Sequence, residues 1–368
     1  MKTVLLTDGK YRSALAAARA LGKAGWRVIV TQTEADCPSA PPVFASRWCE
    51  GRWIEGSTAD PAYPERLLAL LGEEPEVRPV LLCVGAGTLN AVAARREVFA
   101  EAADFLIAPA EVLDRLNDKR QVHERAEALG LPVPREYAGT PDRYPVVIKP
   151  RCGEKQGLKA AQRYAVAEDP EAFAREYENM RRYDPEPIVQ ERIDGEGRGV
   201  SLLLGRESEL LCAICHRRLR EYPMRGGPST CCVTEYDAAR IEQAHSLLRS
   251  FGFTGLAMVE FKGEAILEVN PRIWGSFPLT VFSGSPMSQR YAQAAAGEPV
   301  SYVPADYEIG KKMRFCVNDL AASADLLRHG RLRAGFAGLA DFFRVPEALE
   351  DPEDKKAYRR YLASYFKG

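Results

Sequence analysis

Short apolar runs alternate with amphipathic stretches over the first third of the chain, and this pattern predicts a βαβ unit. Residues 4–6 and 27–30 are apolar and predict two strands. Between them, residues 11–24 place leucine and alanine at near-helical spacing, and Gly25 ends the stretch. A strand, a helix and a second strand in this order are the usual entry to a doubly wound parallel sheet.

A second unit of the same kind follows. Residues 80–84 predict a strand, residues 85–87 a glycine turn, and Thr88 the cap of a helix through Phe99. The first turn of the chain lacks the G-x-G-x-x-G fingerprint of a dinucleotide site, which argues against a Rossmann-type oxidoreductase. We expect residues 1–110 to form one N-terminal doubly wound domain.

The middle of the chain combines longer helices with separate strands. Residues 110–130 predict one helix, which the following glycine and prolines end. Residues 145–150 predict a buried strand with Lys149 near its end, and residues 186–193 predict another. Residues 240–251 predict an amphipathic helix.

A hairpin and a helical tail complete the pattern. Residues 256–270 predict two strands joined by a short loop. The tail from residue 310 contains helical segments at 320–327 and 354–365 and carries no recognisable motif.

Composition narrows the class of protein. The 368 residues suffice for two or three domains, and a hydrophobic share of 46% with 27% charged residues is typical of a folded chain. Fifty basic residues against 51 acidic ones lack the basic excess of a nucleic-acid binder. No apolar run approaches a membrane span and the first residues do not resemble a signal peptide, so we expect no membrane partner.

The cysteines indicate a reducing compartment. All nine are scattered, and Cys212 and Cys215 form a C-x-x-C within a predicted strand. Residues three apart on a strand face opposite sides, which disfavours a shared metal. We interpret the cysteines as buried reduced thiols and expect a cytoplasmic protein.

Acidic residues on the predicted hairpin form a candidate metal site. Residues two apart on a strand share a face, so Ile266, Glu268 and Asn270 point the same way. With a three-residue loop between Lys262 and Ile266, Glu260 lies directly opposite Glu268. Two carboxylates and an amide oxygen suit Mg²⁺, which also takes phosphate oxygens and water.

The surroundings of these acids leave two interpretations. Arg272, two residues past Asn270, adds a cation that can bind phosphate or carboxylate. The alternative to a metal site is a solvated hairpin face with ordinary acidic residues. The opposite face is uniformly apolar, which argues against that alternative; it comprises Ala257, Val259, Phe261, Leu267 and Val269.

Lysines at two separate positions are candidates for binding an anion. Lys149 ends an apolar strand, where an unpaired ammonium group is costly. Lys119 alone is typical of a surface lysine. The loop after Lys149 contains Gly153, Gly157 and two cations, so its backbone N–H groups can lie against phosphates.

A basic segment at residues 215–229 also supports two interpretations. Four arginines and His216 leave a strand and enter a loop of glycine and proline. The segment is either a solvated basic face or a loop that binds a transferring phosphate or a substrate carboxylate. Its basic footprint is too narrow for duplex DNA.

Together, the order and spacing of these motifs resemble the ATP-grasp superfamily of carboxylate–amine and carboxylate–thiol ligases. The likeness runs over residues 4–296. It is greatest with predicted carboxylate–amine ligases that carry H-R-R-x-R-E-Y-P and G-G-P-S, here residues 216–223 and 226–229. The resemblance implies a two-subdomain ATP-grasp fold after the N-terminal domain: a central subdomain at 111–187, a C-terminal subdomain with the metal site at 188–305, and a helical extension at 306–368.

The resemblance implies which residues bind the nucleotide. Lys119 and Lys149 would reach the ATP phosphates, and the loop with Gly153 and Gly157 would cover them. The adenine and ribose would meet residues on and just after the hinge strand: Gln190, Glu191, Arg192, Ile193 and Glu196.

The resemblance also implies the reacting centre. Arg272 and Arg217 match catalytic cations, with His216 beside them. The ions would be Mg²⁺, or Mn²⁺ in its place. Their ligands match Glu260, Glu268 and Asn270.

The activity that the resemblance implies is ATP-dependent ligation of a small carboxylate to an amine through an acyl phosphate, with release of ADP and phosphate. The implied partners are small molecules, without nucleic acid or membrane, and a homodimer is left open. The alternative is a nucleotide-binding regulator or a degenerate ATP-grasp protein. It is motivated by Glu154 and Gln156, which stand where the family's phosphate loop has glycine and serine.

Overall fold

The computed structural model, which describes residues 2–73, 78–152, 158, 162–223 and 227–365, begins with a parallel sheet. Its strands are β1 (Thr3–Leu6), β2 (Arg27–Thr33), β3 (Glu50–Ile54) and β4 (Val80–Leu82). Their order is β3-β2-β1-β4, so the chain turns back at β1. Helices α1 (Arg12–Lys23) and α2 (Tyr63–Gly72) connect them. The predicted doubly wound entry is confirmed.

The helix predicted from Thr88 to Phe99 is instead two helices, α3 (Ala86–Ala94) and α4 (Arg96–Ala102). Thr88 lies inside α3 and does not cap it. Its hydroxyl donates a hydrogen bond to Asp8 at 3.0 Å. The two residues meet because β1 and β4 are neighbours whose carboxyl ends lie at one edge of the sheet.

The single helix predicted over residues 110–130 is also interrupted. Helices α5 (Ala110–Asn117) and α6 (Lys119–Ala128) meet at Asp118. The Asp118 carboxylate accepts hydrogen bonds from the backbone N–H groups of Arg120 at 3.1 Å and Gln121 at 3.4 Å. An aspartate in this position caps a helix by pairing its first N–H groups. Lys119 therefore stands at the start of α6.

A three-stranded antiparallel sheet follows. It contains β5 (Val146–Lys149), β6 (Ala165–Ala167) and β7 (Ile188–Glu191), in the order β6-β5-β7. Helix α7 (Pro170–Arg181) packs on this sheet. The small core between them contains Val146, Ile148, Ala167, Met180 and Val189.

The largest sheet is antiparallel and has six strands. They are β8 (Gly197–Leu204), β9 (Leu210–Glu221), β10 (Ser229–Glu235), β11 (Gly255–Lys262), β12 (Ala265–Asn270) and β13 (Lys312–Arg314). Their order is β12-β11-β8-β9-β10-β13. The predicted hairpin is β11 and β12.

The two faces of this sheet lie in different cores. Cys212 belongs to the apolar cluster that contains Leu6 of β1. Cys215 belongs to the cluster that contains Leu247 of helix α8 (Ala238–Arg249). The prediction that this C-x-x-C faces two sides is confirmed, and all nine cysteines are free thiols.

Between the hairpin and residue 365, the structure contains five helices. They are α9 (Pro278–Phe282), α10 (Met287–Ala295), α11 (Cys316–Arg328), α12 (Leu332–Asp341) and α13 (Lys355–Ser364). The tail is helical as predicted, but it also supplies the edge strand β13. Near its end, Asp354 accepts a hydrogen bond at 2.8 Å from Arg19 of α1. The tail thus joins the large sheet, through β13, to helix α1 beside the parallel sheet. Within the described ranges, no helix is long and apolar enough to cross a membrane.

Candidate active site

A bulge in the β11–β12 hairpin places two glutamates side by side. Lys262 pairs with Ala265, so the turn has two residues and not the expected three. Leu267 is an extra residue in β12, because Phe261 pairs with Ile266 whereas Glu260 pairs with Glu268. The expected pairing of Glu260 with Glu268 is therefore found, but the bulge produces it and not the loop length.

The bulge also changes which side chains share a face. Ile266 is fully buried in the core with Phe261 and Val269, although we expected it beside the acids. Leu267 is half-buried, although we expected it on the apolar face. Both expectations are wrong for one reason. The extra residue Leu267 shifts the strand register by one, so the side chains before it point to the opposite face from the one expected.

The two glutamates have different electrostatic surroundings. Glu268 Oε2 lies 3.4 Å from the ammonium nitrogen of Lys119. Burial acts to raise the pKa of Glu268, but Lys119 and Lys149 outweigh it and lower that pKa to about 2. Glu260 pairs with Arg218 and accepts a hydrogen bond at 3.0 Å from Asn270 Nδ2. Burial nevertheless raises the pKa of Glu260 above its usual range.

Lys149 completes the lysine pair, at the predicted end of strand β5. It is 8% exposed, and its ammonium group lies 3.4 Å from the bulged carbonyl oxygen of Leu267. Burial lowers the pKa of Lys149 to about 8, and the charge of Lys119 adds to the effect. A buried ammonium with so depressed a pKa needs an anion to hold its charge.

Arg218, which sequence reasoning missed, reaches the acids across strand β8. A Cβ atom at Gly197 would lie 3.2 Å from Arg218 Cδ, so glycine leaves room for this side chain. Gly199 similarly makes room for His216, because a Cβ atom there would lie 2.3 Å from the His216 ring. The two glycines opposite β9 were the available signal, since they open one face of the sheet to side chains from the next strand.

Arg217 lies on the other face, away from the glutamate pair. It pairs with Glu196 at 2.7 Å and with Glu235 at 3.5 Å. Glu196 also pairs with Arg198 at 2.8 Å. The structure therefore joins two predicted nucleotide contacts, Arg217 and Glu196, to each other and not to the acids.

His216 is on the same face as Arg218 but is not exposed. Its Nε2 lies 3.3 Å from Ser276 Oγ, and the side chain is 2% exposed. Burial lowers the pKa of His216 to about 3, and the neighbouring Arg218 contributes. The ring is thus neutral at pH 7 and connects β9 to the segment after β12.

Arg272 lies where the sequence placed it, directly after β12. Its Nη2 donates to Asn270 Oδ1 at 3.4 Å and its Nη1 to the Ile273 carbonyl at 2.9 Å. The guanidinium therefore lies next to the amide of the candidate metal site.

The hinge strand β7 runs beside this cluster. Gln190 points inward and bonds to His123, while the carboxylate of Glu191 accepts a hydrogen bond at 2.9 Å from the Arg135 backbone. Arg192 pairs with Glu168 at 3.4 Å. Ile193 is half-buried. The predicted phosphate-loop glycines, Gly153 and Gly157, lie outside the described residues.

The side chains fit a divalent cation that shares its coordination with a ligand. No cluster of three or more His, Cys, Asp or Glu residues suited to a metal occurs in the described part of the chain. The carboxylates of Glu260 and Glu268 come together beside the Asn270 amide, whose nitrogen donates to Glu260 and whose oxygen accepts from Arg272. Such an incomplete set of hard oxygen donors is typical of Mg²⁺ sites that are completed by phosphate and water.

Part of this chain is similar to a known protein family. Residues 116–276 match the family model of an ATP-grasp domain. No curated protein matches the chain.

Solved structures with a similar fold include biotin carboxylases. Biotin carboxylase from Campylobacter jejuni, in a β-γ-ATP complex, is 14% identical with a TM-score of 0.64 over 84% of this chain and 74% of that one. The biotin carboxylase domain of Hydrogenobacter thermophilus 2-oxoglutarate carboxylase, a dimer with MgADP, ADP and bicarbonate, is 14% identical. Its TM-score is 0.63 over 84% of this chain and 73% of that one. At this identity the likeness shows the fold, and it confirms the expected mixed α/β class.

Proposed function

Because residues 116–276 match the family model of an ATP-grasp domain, we propose that the chain is an ATP-dependent ligase that joins a small carboxylate to an amine. One observation carries the proposal. A pair of glutamates on adjacent strands is surrounded by cations from three separate segments, Lys119 of α6, Lys149 of β5 and Arg218 of β9. Cations gathered in this way around acids suit a ligand that is itself a polyanion bound with a divalent ion.

The proposed nucleotide contacts follow from this cluster. Lys119 and Lys149 bind phosphate oxygens. Glu260, Glu268 and Asn270 hold Mg²⁺, which would offset phosphate charge when bound. Adenine meets the segment 191–193 at the end of β7, because the side chain of Gln190 is already bonded within the protein.

Arg218 takes the role that sequence reasoning assigned to Arg217. Its Nη2 pairs with Glu260, while its Nε is buried and has no hydrogen-bond partner among the described residues. An unpaired buried donor is costly unless a ligand satisfies it. Arg218 and Arg272 therefore stabilise the transferring phosphoryl group in our proposal.

The proposed reaction has two displacements. A carboxylate oxygen attacks the γ-phosphorus, the bond to the β-γ bridging oxygen breaks, and ADP leaves. The amine nitrogen then attacks the acyl carbon, inorganic phosphate leaves, and the nitrogen loses a proton as the amide forms. The protein's part is to position the reactants and neutralise charge, which is the main source of catalysis in phosphoryl transfer.

A screen for ADP release tests the proposal. Purified protein, ATP and Mg²⁺ are mixed with amino acids and small carboxylates, bicarbonate included, each with and without a set of amines. We expect ADP formation that requires both an acid and an amine, with the amide detected by mass spectrometry. ADP formed with bicarbonate alone would indicate carboxylase chemistry instead. Tight nucleotide binding without turnover across the screen would favour the regulator.

A further inference from the structure

One buried histidine connects three elements around the candidate site. His123 of α6 is 4% exposed. Its Nε2 lies 2.9 Å from the carbonyl oxygen of Leu267, and its Nδ1 lies 2.7 Å from Nε2 of Gln190 on β7. Helix α6, the hinge strand and the bulged strand β12 thus meet at a single imidazole ring.

The partners of the ring determine its protonation. A carbonyl oxygen can only accept, so Nε2 of His123 carries the proton and donates to Leu267. Nδ1 is then an acceptor, and the amide of Gln190 donates to it. Burial lowers the pKa of His123 to about 4, with a contribution from the charge of Lys149, so the neutral ring persists at pH 7.

The carbonyl that His123 binds belongs to the residue that sets the register of the site. Leu267 is the extra residue of β12, and its carbonyl also receives Lys149 at 3.4 Å. Without the bulge, Glu260 would pair with Leu267, and Glu268 would turn to the apolar face under α8. A bulged residue leaves ladder groups without strand partners, and these groups need partners from elsewhere.

We propose that His123 is a positioning residue that holds the Leu267 bulge and thereby keeps Glu268 opposite Glu260. The inference rests on the proposed function, since it gives Glu268 a purpose as a metal ligand. Because Gln190 orients the same ring, His123 also connects the strand proposed to meet adenine with the strand that bears the acids.

Four substitutions separate this role from general stability. His123→Leu removes both hydrogen bonds, whereas His123→Gln offers a donor and an acceptor in their place. His245→Leu is the matched control, because His245 Nε2 lies 2.9 Å from another backbone carbonyl, that of Ser208, away from the acids. Gln190→Leu keeps His123 but releases its ring, and it replaces His123→Leu if that variant does not fold.

The test is binding of the non-hydrolysable analogue AMP-PNP by calorimetry, with Mg²⁺ and with EDTA, beside the melting temperature. The ratio of the two affinities isolates the metal-dependent part of binding. Groups that orient metal ligands typically change metal affinity by about 10–100-fold. We expect His123→Leu to reduce this ratio by at least about tenfold, and His123→Gln and His245→Leu to stay within about threefold of wild type. An unchanged ratio in His123→Leu, or an equal loss in His245→Leu, overturns the inference.

A crystal structure of ligand-free His123→Leu provides a readout that does not depend on nucleotide. We expect the Leu267 segment to lose its bulge or Glu268 to leave its place opposite Glu260. Retention of both would overturn the positioning role even if the wild type binds AMP-PNP normally, and the proposed function would then stand. If the wild type binds no nucleotide, the proposed function fails. The crystal structure of His123→Leu would still show whether His123 holds the Leu267 bulge.

Discussion

Two carboxylate clusters occupy different regions of the molecule, and their partners differ: Asp8 is buried, whereas the side chain of Glu268 is 32% exposed. At the edge of the parallel sheet, Asp8 accepts hydrogen bonds from Thr7 Oγ1 at 2.5 Å, the Gly85 backbone at 2.9 Å and Thr88 Oγ1 at 3.0 Å. In the antiparallel sheet, Glu268 has a lysine ammonium at 3.4 Å and a second lysine nearby. The first acid has neutral donors, and the second has cations.

The difference appears in the two pKa values. Burial raises the pKa of Asp8 above its usual range, although three hydrogen bonds act against the shift. Burial acts on Glu268 as well, but the lysines reverse the result and lower its pKa to about 2. Neutral donors therefore satisfy a buried carboxylate without securing its charge, whereas cations secure it.

This contrast separates a structural cluster from a candidate site. The hydrogen bonds to Asp8 come from Thr7, Gly85 and Thr88, and they tie the end of β1 to the segment that follows β4. The cationic partners of Glu268 come from helix α6 and strand β5, which lie far from β12 in the sequence. An acid kept charged by distant segments is what a divalent cation requires, so only the second cluster is assigned a ligand.

The largest effect that we predict is for Glu268→Gln. The amide keeps the shape but removes the charge that would hold Mg²⁺, so turnover should fall by more than about 100-fold with an unchanged melting temperature. Turnover is measured as the rate of ADP release with the substrates that the screen identifies. Glu264→Gln in the same hairpin is the control, because Glu264 is exposed and pairs with Arg240. Equal rates for Glu268→Gln and wild type would remove the distinction between the two clusters.

A smaller effect should separate two adjacent arginines. Arg218→Met removes the partner of Glu260, so we expect the rate to fall by about 10–100-fold. Arg217→Met breaks half-exposed ion pairs on the opposite face, which contribute little, and should change the rate by no more than about threefold. The measurement is the initial rate of ADP release by each variant, compared at a temperature at which both variants are fully folded. A larger loss of rate in Arg217→Met than in Arg218→Met would instead assign contact with the transferring phosphoryl group to Arg217, and contact with the nucleotide to its partner Glu196.

A pH profile tests whether Lys149 acts through its charge. The ammonium is charged below a pKa of about 8 and neutral above it, so affinity for AMP-PNP should fall as pH rises through about 8. Above that pH, the loss should approach about tenfold per pH unit. Arginine stays protonated throughout this range, so Lys149→Arg should bind with a flat profile. Calorimetry between about pH 6.5 and 9.5 measures the AMP-PNP affinity of both proteins. If affinity depends on pH equally in the wild type and in Lys149→Arg, the charge of Lys149 does not contribute to binding.

The alternation of apolar and polar residues was sufficient to predict the parallel sheet and the hairpin, but it paired the two acids only through a loop length that the structure does not have. It was not sufficient to locate Leu267 as the bulge. Ile266 and Leu267 are both apolar, so the sequence fits either residue in the core. The bulged segment has its partners in distant parts of the chain: His123 and Lys149 contact the Leu267 carbonyl, and the Ile266 N–H donates to the Pro132 carbonyl at 2.8 Å.

The same limit explains the exchange of Arg217 for Arg218. The two are adjacent, and a one-residue change in strand register moves each to the opposite face. The pairing of β8 with β9 contains a register shift between Leu203 and Leu204, which the alternation of apolar and polar residues does not reveal. The break between α5 and α6 could have been predicted from the sequence, because aspartate is a common residue at the N-cap of a helix, as Asp118 is here.

The smallest effect should come from Asp8→Asn, and it concerns stability. Asparagine tolerates the left-handed φ of 58° at this position, but its amide group replaces one acceptor with a donor. One of the three bonds is lost, which should lower the free energy of unfolding by about 1–2 kcal/mol without reducing turnover. Because the folded pKa of Asp8 is raised above 3.8, its contribution is greatest in acid and falls as pH rises through that folded pKa. The difference in free energy of unfolding between the two proteins, measured by denaturant titration at several pH values, should therefore be largest in acid and shrink as pH rises through the folded pKa of Asp8. A loss of turnover with unchanged stability would instead make Asp8 part of a ligand site and end the contrast with Glu268.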